Sequence, residues 1–132
     1  MAEKELQQII ERSQKLYQGN DFESVIELYT EYLTKNESSL NNGQKCRIWN
    51  DVGHAKYMQV RFDSAVECYN KALKFDPNSS VTRYNKATVI YRMGHFKEAF
   101  NDFQLACQLD GHKNEEFKLA LKTCLEALNS KS

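Results

Sequence analysis

Proline and glycine are scarce in this sequence, with one Pro and five Gly among 132 residues. An all-β sandwich or barrel needs many more turn residues, so this scarcity excludes that class. No stretch approaches the roughly 18 apolar residues of a transmembrane helix, and the opening "MAEKELQQIIERSQ" lacks the apolar core of a signal peptide. Leu, Ala, Glu, Lys and Gln are plentiful, and these residues favour helix. We therefore expect an all-α, intracellular and specifically cytoplasmic protein with no membrane contact.

Net charge is also absent, because 18 basic and 18 acidic side chains cancel to a formal charge of zero. Nucleic-acid-binding surfaces normally show a clear basic excess. Electrostatic docking to an acidic membrane surface needs clustered basic residues as well. The balance therefore indicates that neither nucleic acid nor membrane is a partner.

Motifs for metal binding and catalysis are missing. The four cysteines, Cys46, Cys68, Cys107 and Cys124, form no CxxC pair, whereas zinc sites need closely spaced ligands. We therefore expect free thiols. There is no GxxxxGK[ST] or GxGxxG loop and no HExxH helix. The sequence indicates no enzyme, no metal and no cofactor.

A repeated phrase is the strongest positive signal. The stretch "YMQVRFDSAVECY" is followed by the similar "YRMGHFKEAFNDF", and their anchors, Phe62 and Phe96, define a period of about 34 residues. A fainter copy surrounds Phe22, which precedes Phe62 by slightly more than one such period. The extra residues fall in the polar stretch 36–45, where an insertion costs little. This period in a helical composition predicts stacked helical hairpins.

The residues of the middle copy resemble the tetratricopeptide repeat (TPR) family. "WNDVGHAKYMQVRFDSAVECYNKALKFDPN", residues 49–78, carries that family's Trp, small residue, Tyr, aromatic, Ala, aromatic, Ala and Pro in order. The chain also resembles small vertebrate members of the family in size. The third copy departs from the pattern, with Arg83 in place of Trp, Ala87 in place of Gly and Gly111 in place of Pro. The resemblance implies a right-handed superhelical stack of three helix-turn-helix units.

A seventh, amphipathic helix follows the repeats and is expected to cover the open apolar edge of the last one. Its apolar face is predicted to comprise Phe117, Leu121, Cys124, Leu125 and Leu128. The chain is then a single domain, residues 1–132, with repeat one at about 6–39, a polar insertion at about 36–45, repeat two at about 46–79, repeat three at about 80–113 and the capping helix at about 114–128.

Two classes of function fit a chain of this kind. One is a protein-protein interaction scaffold or adaptor that binds a partner peptide or helix in the concave groove lined by the first helix of each repeat. The other is a structural or assembly subunit, joined to a partner or to itself through its edges or convex face. Comparison of the copies predicts the groove residues, which are Tyr17, Asn50, His54, Tyr57, Tyr84, Asn85, Thr88, Tyr91 and Arg92, with Lys118 and Lys122 at the rim.

Many members of the family bind the acidic C-terminal tails of cytosolic heat-shock chaperones through a clamp of lysines, asparagines and an arginine. The matching positions here hold Ile10, Gln14, Asp51 and Val81, and only Asn85 keeps the residue type of the clamp. An acid at position 51 would repel a terminal carboxylate. From the sequence we therefore expect the chaperone tails not to be partners.

Overall fold

The computed structural model describes residues 2–130, and over that range the chain forms α-helices and one short 3-10 helix, with no strand. None of these helices is both long and apolar enough to cross a membrane. The α-helices are α1 (Ala2–Gln18), α2 (Phe22–Asn36), α3 (Asn42–Met58), α4 (Phe62–Phe75), α5 (Ser80–Arg92), α6 (Phe96–Leu109) and α7 (Glu115–Ser130). The expected seven-helix architecture is confirmed.

The helices pack in sequence order. Each pair that makes up a repeat is in contact, namely α1 with α2, α3 with α4, and α5 with α6. Contacts of α2 with α3, of α4 with α5 and of α6 with α7 join the pairs into one stack. We call α1, α3 and α5 the A helices, because they are the first of each pair.

Close approach of α3 and α4 depends on Gly53. A Cβ atom built on Gly53 would lie 2.8 Å from Cε1 of Tyr69, whose ring is completely buried. In the first repeat Ser13 takes the same place, and its hydroxyl lies 2.9 Å from the Tyr29 hydroxyl. Small residues at these positions therefore let an aromatic side chain of the second helix pack directly on the first.

The turn inside each repeat contains one residue in the left-handed conformation. These residues are Asn20 (φ 61°), Val60 (φ 62°) and Gly94 (φ 88°), and each stands just before the anchoring Phe. Glycine and asparagine tolerate this conformation, whereas a β-branched side chain is strained there. Val60 is 70% exposed, so packing does not compensate for the strain.

The polar stretch 36–45, which the sequence indicates as an insertion, is mostly helical. Residues 37–39 form the 3-10 helix, and Leu40 is buried as an anchor. Asn41 then caps α3 with a reciprocal capping box, since its side chain accepts from the Gln44 backbone at 2.8 Å and the Gln44 side chain accepts from the Asn41 backbone at 2.9 Å. Because this cap lets α3 begin at Asn42, inside the insertion, α3 has 17 residues whereas its counterpart α5 has 13 residues.

Helix α7 packs on α6 through Phe117 and Cys124, both of which are buried. Leu125, expected on the same face, is instead 43% exposed, because the face that α6 covers is narrower than the helix's apolar stripe. All four cysteines are buried free thiols. Within residues 2–130 no group of His, Cys, Asp and Glu side chains is arranged to hold a metal ion.

Candidate functional site

A cavity of about 300 Å³ lies where the three A helices meet, with α2 beneath it. We call it the polar cavity. Four of the nine predicted groove residues line it, namely Tyr17 from α1, Asn50 and His54 from α3, and Asn85 from α5. The repeat comparison therefore placed these side chains from three separate helices on one surface.

An amide pair joins α3 to α5 at the polar cavity. Asn85 Nδ2 donates to Asn50 Oδ1 at 2.9 Å, and Asn50 Nδ2 in turn makes a long contact of 3.4 Å with Asp51 Oδ1. The side-chain carbonyl oxygen of Asn85 accepts no hydrogen bond from the described residues. This pair therefore offers an acceptor, and a weakly engaged donor, to a ligand backbone.

Asp51 is held inside the protein. Its Oδ2 accepts a hydrogen bond from the Tyr29 hydroxyl at 2.9 Å and lies 3.7 Å from Arg47 Nε. Burial raises the pKa of the Asp51 carboxyl, while the Tyr29 hydrogen bond and the Arg47 charge act in the opposite direction. The repulsion expected from the sequence is therefore weaker than assumed, because the carboxylate already accepts a hydrogen bond from Tyr29 and its charge is offset by Arg47.

A row of rings continues from α1 to α4. Tyr17 stacks on His54 with centroids 5.2 Å apart, His54 lies 6.0 Å from Tyr57, and Tyr57 lies 5.8 Å from Phe62. Burial lowers the pKa of His54, and the nearby Asp51 raises it. Burial, with Asp51 as a smaller cause, raises the pKa of Tyr17 to about 12. The row therefore presents neutral, rigid ring surface.

Arg92 closes this row at the end of α5. Its Nη1 donates to the Tyr57 hydroxyl at 3.0 Å, and its guanidinium lies 5.9 Å from the centroids of both Tyr57 and Phe62. The side chain is exposed, and no carboxylate of residues 2–130 lies within ion-pair distance of it. Arg92 is thus oriented by neutral groups and keeps its charge free for a ligand.

A second cavity, of about 260 Å³, lies between α5 and α7. We call it the apolar cavity. Three further predicted groove residues line it, namely Tyr84, Thr88 and Tyr91. The opposite wall contains Leu119, whereas the lysines expected at the rim, Lys118 and Lys122, do not line it. The remaining lining residues are Phe103, Glu116, Ala120 and Thr123.

Leu119 was missed as a groove residue, although the period contained the signal. It lies one repeat period after Asn85, which itself lies one period after Asp51, so α7 continues the spacing of the A helices. Tyr29 was missed for a different reason. It lies on α2, and the groove was predicted from the A helices alone, yet its hydroxyl reaches Asp51.

The nine predicted residues thus fall into three neighbouring groups. Tyr17, Asn50, His54 and Asn85 line the polar cavity, and Tyr84, Thr88 and Tyr91 line the apolar cavity. Tyr57 and Arg92 bond each other at the end of the ring row. Arg92 is exposed and the other eight are half-buried, so each retains surface for a ligand.

Comparison with known proteins supports the repeat family. The family model of the tetratricopeptide repeat matches residues 68–101. RNA polymerase II-associated protein 3 of Rattus norvegicus is 32% identical over 68 residues, which are 52% of this chain and 10% of that protein. The chain therefore spans about a tenth of the length of this relative. The relatives found do not support a narrower resemblance to small vertebrate members.

Solved structures show the same fold. The first TPR of Spaghetti (RPAP3), bound to the HSP90 peptide SRMEEVD, superposes with a TM-score of 0.83 at 15% identity, over 94% of this chain and 95% of that one. The type III secretion chaperone SycD of Yersinia enterocolitica, in complex with a peptide of the translocator YopD, gives a TM-score of 0.82 at 19% identity, over 97% and 95%. Residues 68–101 therefore match a tetratricopeptide repeat, and the chain has the fold of a tetratricopeptide repeat domain.

Proposed function

We propose that this chain is a non-enzymatic adaptor that binds a partner peptide in the groove formed by its A helices. The observation that carries the proposal is the Asn50–Asn85 pair, which lies in a cavity shared by all three A helices. A peptide backbone has donors and acceptors that such amides can bond. The proposed contacts are the nine residues of the three groups described above.

The ring row supports the same function. Tyr17, His54 and Tyr57 are ordered by stacking on one another before any ligand arrives. Aromatic and arginine side chains dominate the binding energy of protein interfaces, and an ordered surface loses little conformational entropy on binding. Two solved domains of this fold, the first TPR of Spaghetti and SycD, are bound to peptides.

Chaperone tails belong among the first ligands to test, contrary to the expectation from the sequence. The HSP90 peptide bound to the first TPR of Spaghetti counts against excluding them. The charge argument for exclusion also weakens, because Asp51 is bonded by Tyr29 and paired with Arg47. The remaining argument against chaperone tails is that Ile10 and Val81 stand at two lysine positions of the clamp and supply no positive charge. Ile10 is also buried.

A double substitution of the amide pair tests the proposal. Asn50→Ala with Asn85→Ala removes both partners of one hydrogen bond, so no donor or acceptor of that bond is left unpaired and the fold should persist. The matched control is Asn70→Ala with Asn101→Ala, because both of these asparagines are exposed and lie on the second helices α4 and α6. Peptides selected from a random phage-displayed library on the wild type, together with SRMEEVD, serve as probes.

We expect the Asn50/Asn85 variant to bind the selected peptides at least about tenfold more weakly, a change of about 1.4 kcal/mol. The Asn70/Asn101 variant should bind them like the wild type. If the groove variant keeps full affinity while its melting temperature is unchanged, the groove is not the binding site. The alternative of a structural or assembly subunit, joined through edges or the convex face, would then replace the adaptor.

A further inference from the structure

We infer that the groove selects a partner segment by an apolar side chain inserted in the apolar cavity between α5 and α7, with a neighbouring side-chain carboxylate of the partner on Arg92. This inference rests on the proposed peptide-binding function and specifies the ligand chemistry of the same groove.

Most of the exposed wall of the apolar cavity is non-polar, although Tyr91, Glu116 and Thr123 add polar groups to it. The Tyr84 hydroxyl already donates to Glu116 at 3.2 Å, and the Thr88 hydroxyl already donates to the Tyr84 carbonyl at 3.0 Å. The Tyr84 ring is fixed by stacking on Phe117, with centroids 4.5 Å apart. Because these polar atoms are bonded internally, the side chain that suits the cavity is an apolar one.

Leu119 contributes exposed apolar surface to the wall of the apolar cavity. It is 64% exposed, which makes it a more exposed leucine than Leu125 on the same helix, at 43%. Burying a leucine under a ligand side chain is favourable, because apolar surface leaves water. Leu119 lines a concave site and Leu125 does not, so the two residues differ in location rather than in type.

The charges of the groove complete the inference. Arg47 pairs with Asp51 and Lys118 pairs with Glu115, whereas Arg92 has only the neutral Tyr57 hydroxyl and two rings as partners. Arg92 lies one helical turn after Thr88, which lines the apolar cavity, so these two side chains are neighbours on one face of α5. A carboxylate next to the apolar anchor would therefore meet an uncompensated cation.

A single available arginine suits a single side-chain carboxylate. The lysine positions of the terminal-carboxylate clamp hold Ile10 and Val81 here, so the groove lacks the several cations that would bind both carboxylates of a C-terminal acidic residue. The backbone of the segment then runs across the Asn50–Asn85 pair, because Asn85 lies one helical turn before Thr88 on the same face of α5 and the two cavities share that helix. A segment inside the partner's chain, away from its C-terminus, can make all three contacts: the apolar anchor, the carboxylate on Arg92 and the backbone bonds to the amide pair.

The test uses the full chain and peptides selected from a random phage-displayed library, resynthesised with free and with amidated C-termini. We expect the selected sequences to be enriched in a Leu, Ile, Met or Phe close to an Asp or Glu, and amidation to leave affinity unchanged. Leu119→Ser should weaken binding at least fivefold, while its control Leu125→Ser should have no effect. Arg92→Gln should remove the preference for Asp over Asn in the peptide, and Arg12→Gln, an exposed charge on α1, should retain it.

Three results would overturn the inference and leave the adaptor function in place, provided that binding is still lost in the Asn50/Asn85 variant. They are equal binding by Leu119→Ser and wild type, an unchanged Asp preference in Arg92→Gln, and loss of affinity on amidation. If binding instead survives in the Asn50/Asn85 variant, the groove itself is wrong and the inference fails with it. Thermal melting of every variant separates lost binding from lost fold.

Discussion

Gly53→Ala is the substitution whose effect the structure specifies most closely. The added Cβ atom would lie 2.8 Å from Cε1 and 2.9 Å from Cδ1 of Tyr69, closer than carbon atoms pack. The Tyr69 ring is completely buried, so it has no open space into which it can move. Either the ring or the spacing of α3 and α4 must change.

Two opposing effects set the magnitude. Overpacking a core by a methyl-sized group costs about 1–3 kcal/mol. Replacing a glycine by alanine inside a helix gains up to about 1 kcal/mol, and Gly53 lies well inside α3. The net change for Gly53→Ala is therefore a loss of about 0–2 kcal/mol. The larger Gly53→Leu should lose more, because its branched side chain reaches further into the same contact.

Gly43→Ala isolates the packing contribution. Gly43 lies on the same helix but near its exposed start, and the nearest atom to an added Cβ is 3.4 Å away. This control should gain up to about 1 kcal/mol, so the two alanine variants should differ by about 1–3 kcal/mol in urea unfolding. In a domain of this size, 1 kcal/mol corresponds to about 3–5 °C in Tm. A Gly53→Ala protein as stable as Gly43→Ala would refute the contact with Tyr69.

Three further predictions concern strain, titration and the cap. Val60→Asn should raise stability by about 1 kcal/mol in urea unfolding, because Asn20 takes the same left-handed conformation in the first repeat; an unchanged midpoint would show that Val60 carries no strain. Burial lowers the pKa of His54 in the folded state, so the unfolded chain binds more protons and stability falls as pH drops below about 6.5. His54→Gln should make that fall shallower, and superimposable pH profiles would contradict it. Deleting residues 115–130 should expose the apolar side of α6 and cause aggregation in size-exclusion chromatography, whereas a monodisperse product of normal Tm would contradict the capping role.

The fold was predictable because the repeat encodes it at several levels. The regular spacing of Phe62 and Phe96 gives the number and order of helices, and the small residue at Gly53 gives their close contact. The polarity of the stretch 36–45 indicated an insertion but not its conformation. The cap formed by Asn41 and Gln44 depends on a hydrogen-bond geometry that composition does not reveal, and it lengthens α3.

The candidate site was predictable only to the level of which face each side chain occupies. Repeat alignment places Asn50 and Asn85 on one face, but it does not say that they bond each other at 2.9 Å. It also does not say that Arg92 rests on Tyr57 and Phe62. These pairings depend on the distances between neighbouring repeats, which no single repeat specifies.

The role of Asp51 also depends on a distance between repeats, that from its Oδ2 atom to the Tyr29 hydroxyl. From the sequence it is an acid in a binding groove and should oppose any carboxylate. In the structure it accepts a hydrogen bond from Tyr29, a residue of the preceding repeat, and lies beside Arg47. The Asp51 carboxylate therefore links repeats one and two through its hydrogen bond with Tyr29, and Arg47 forms an ion pair with the same carboxylate. Arg92, which rests on Tyr57 and Phe62, then remains as the cation of the proposed groove without a carboxylate partner among the described residues.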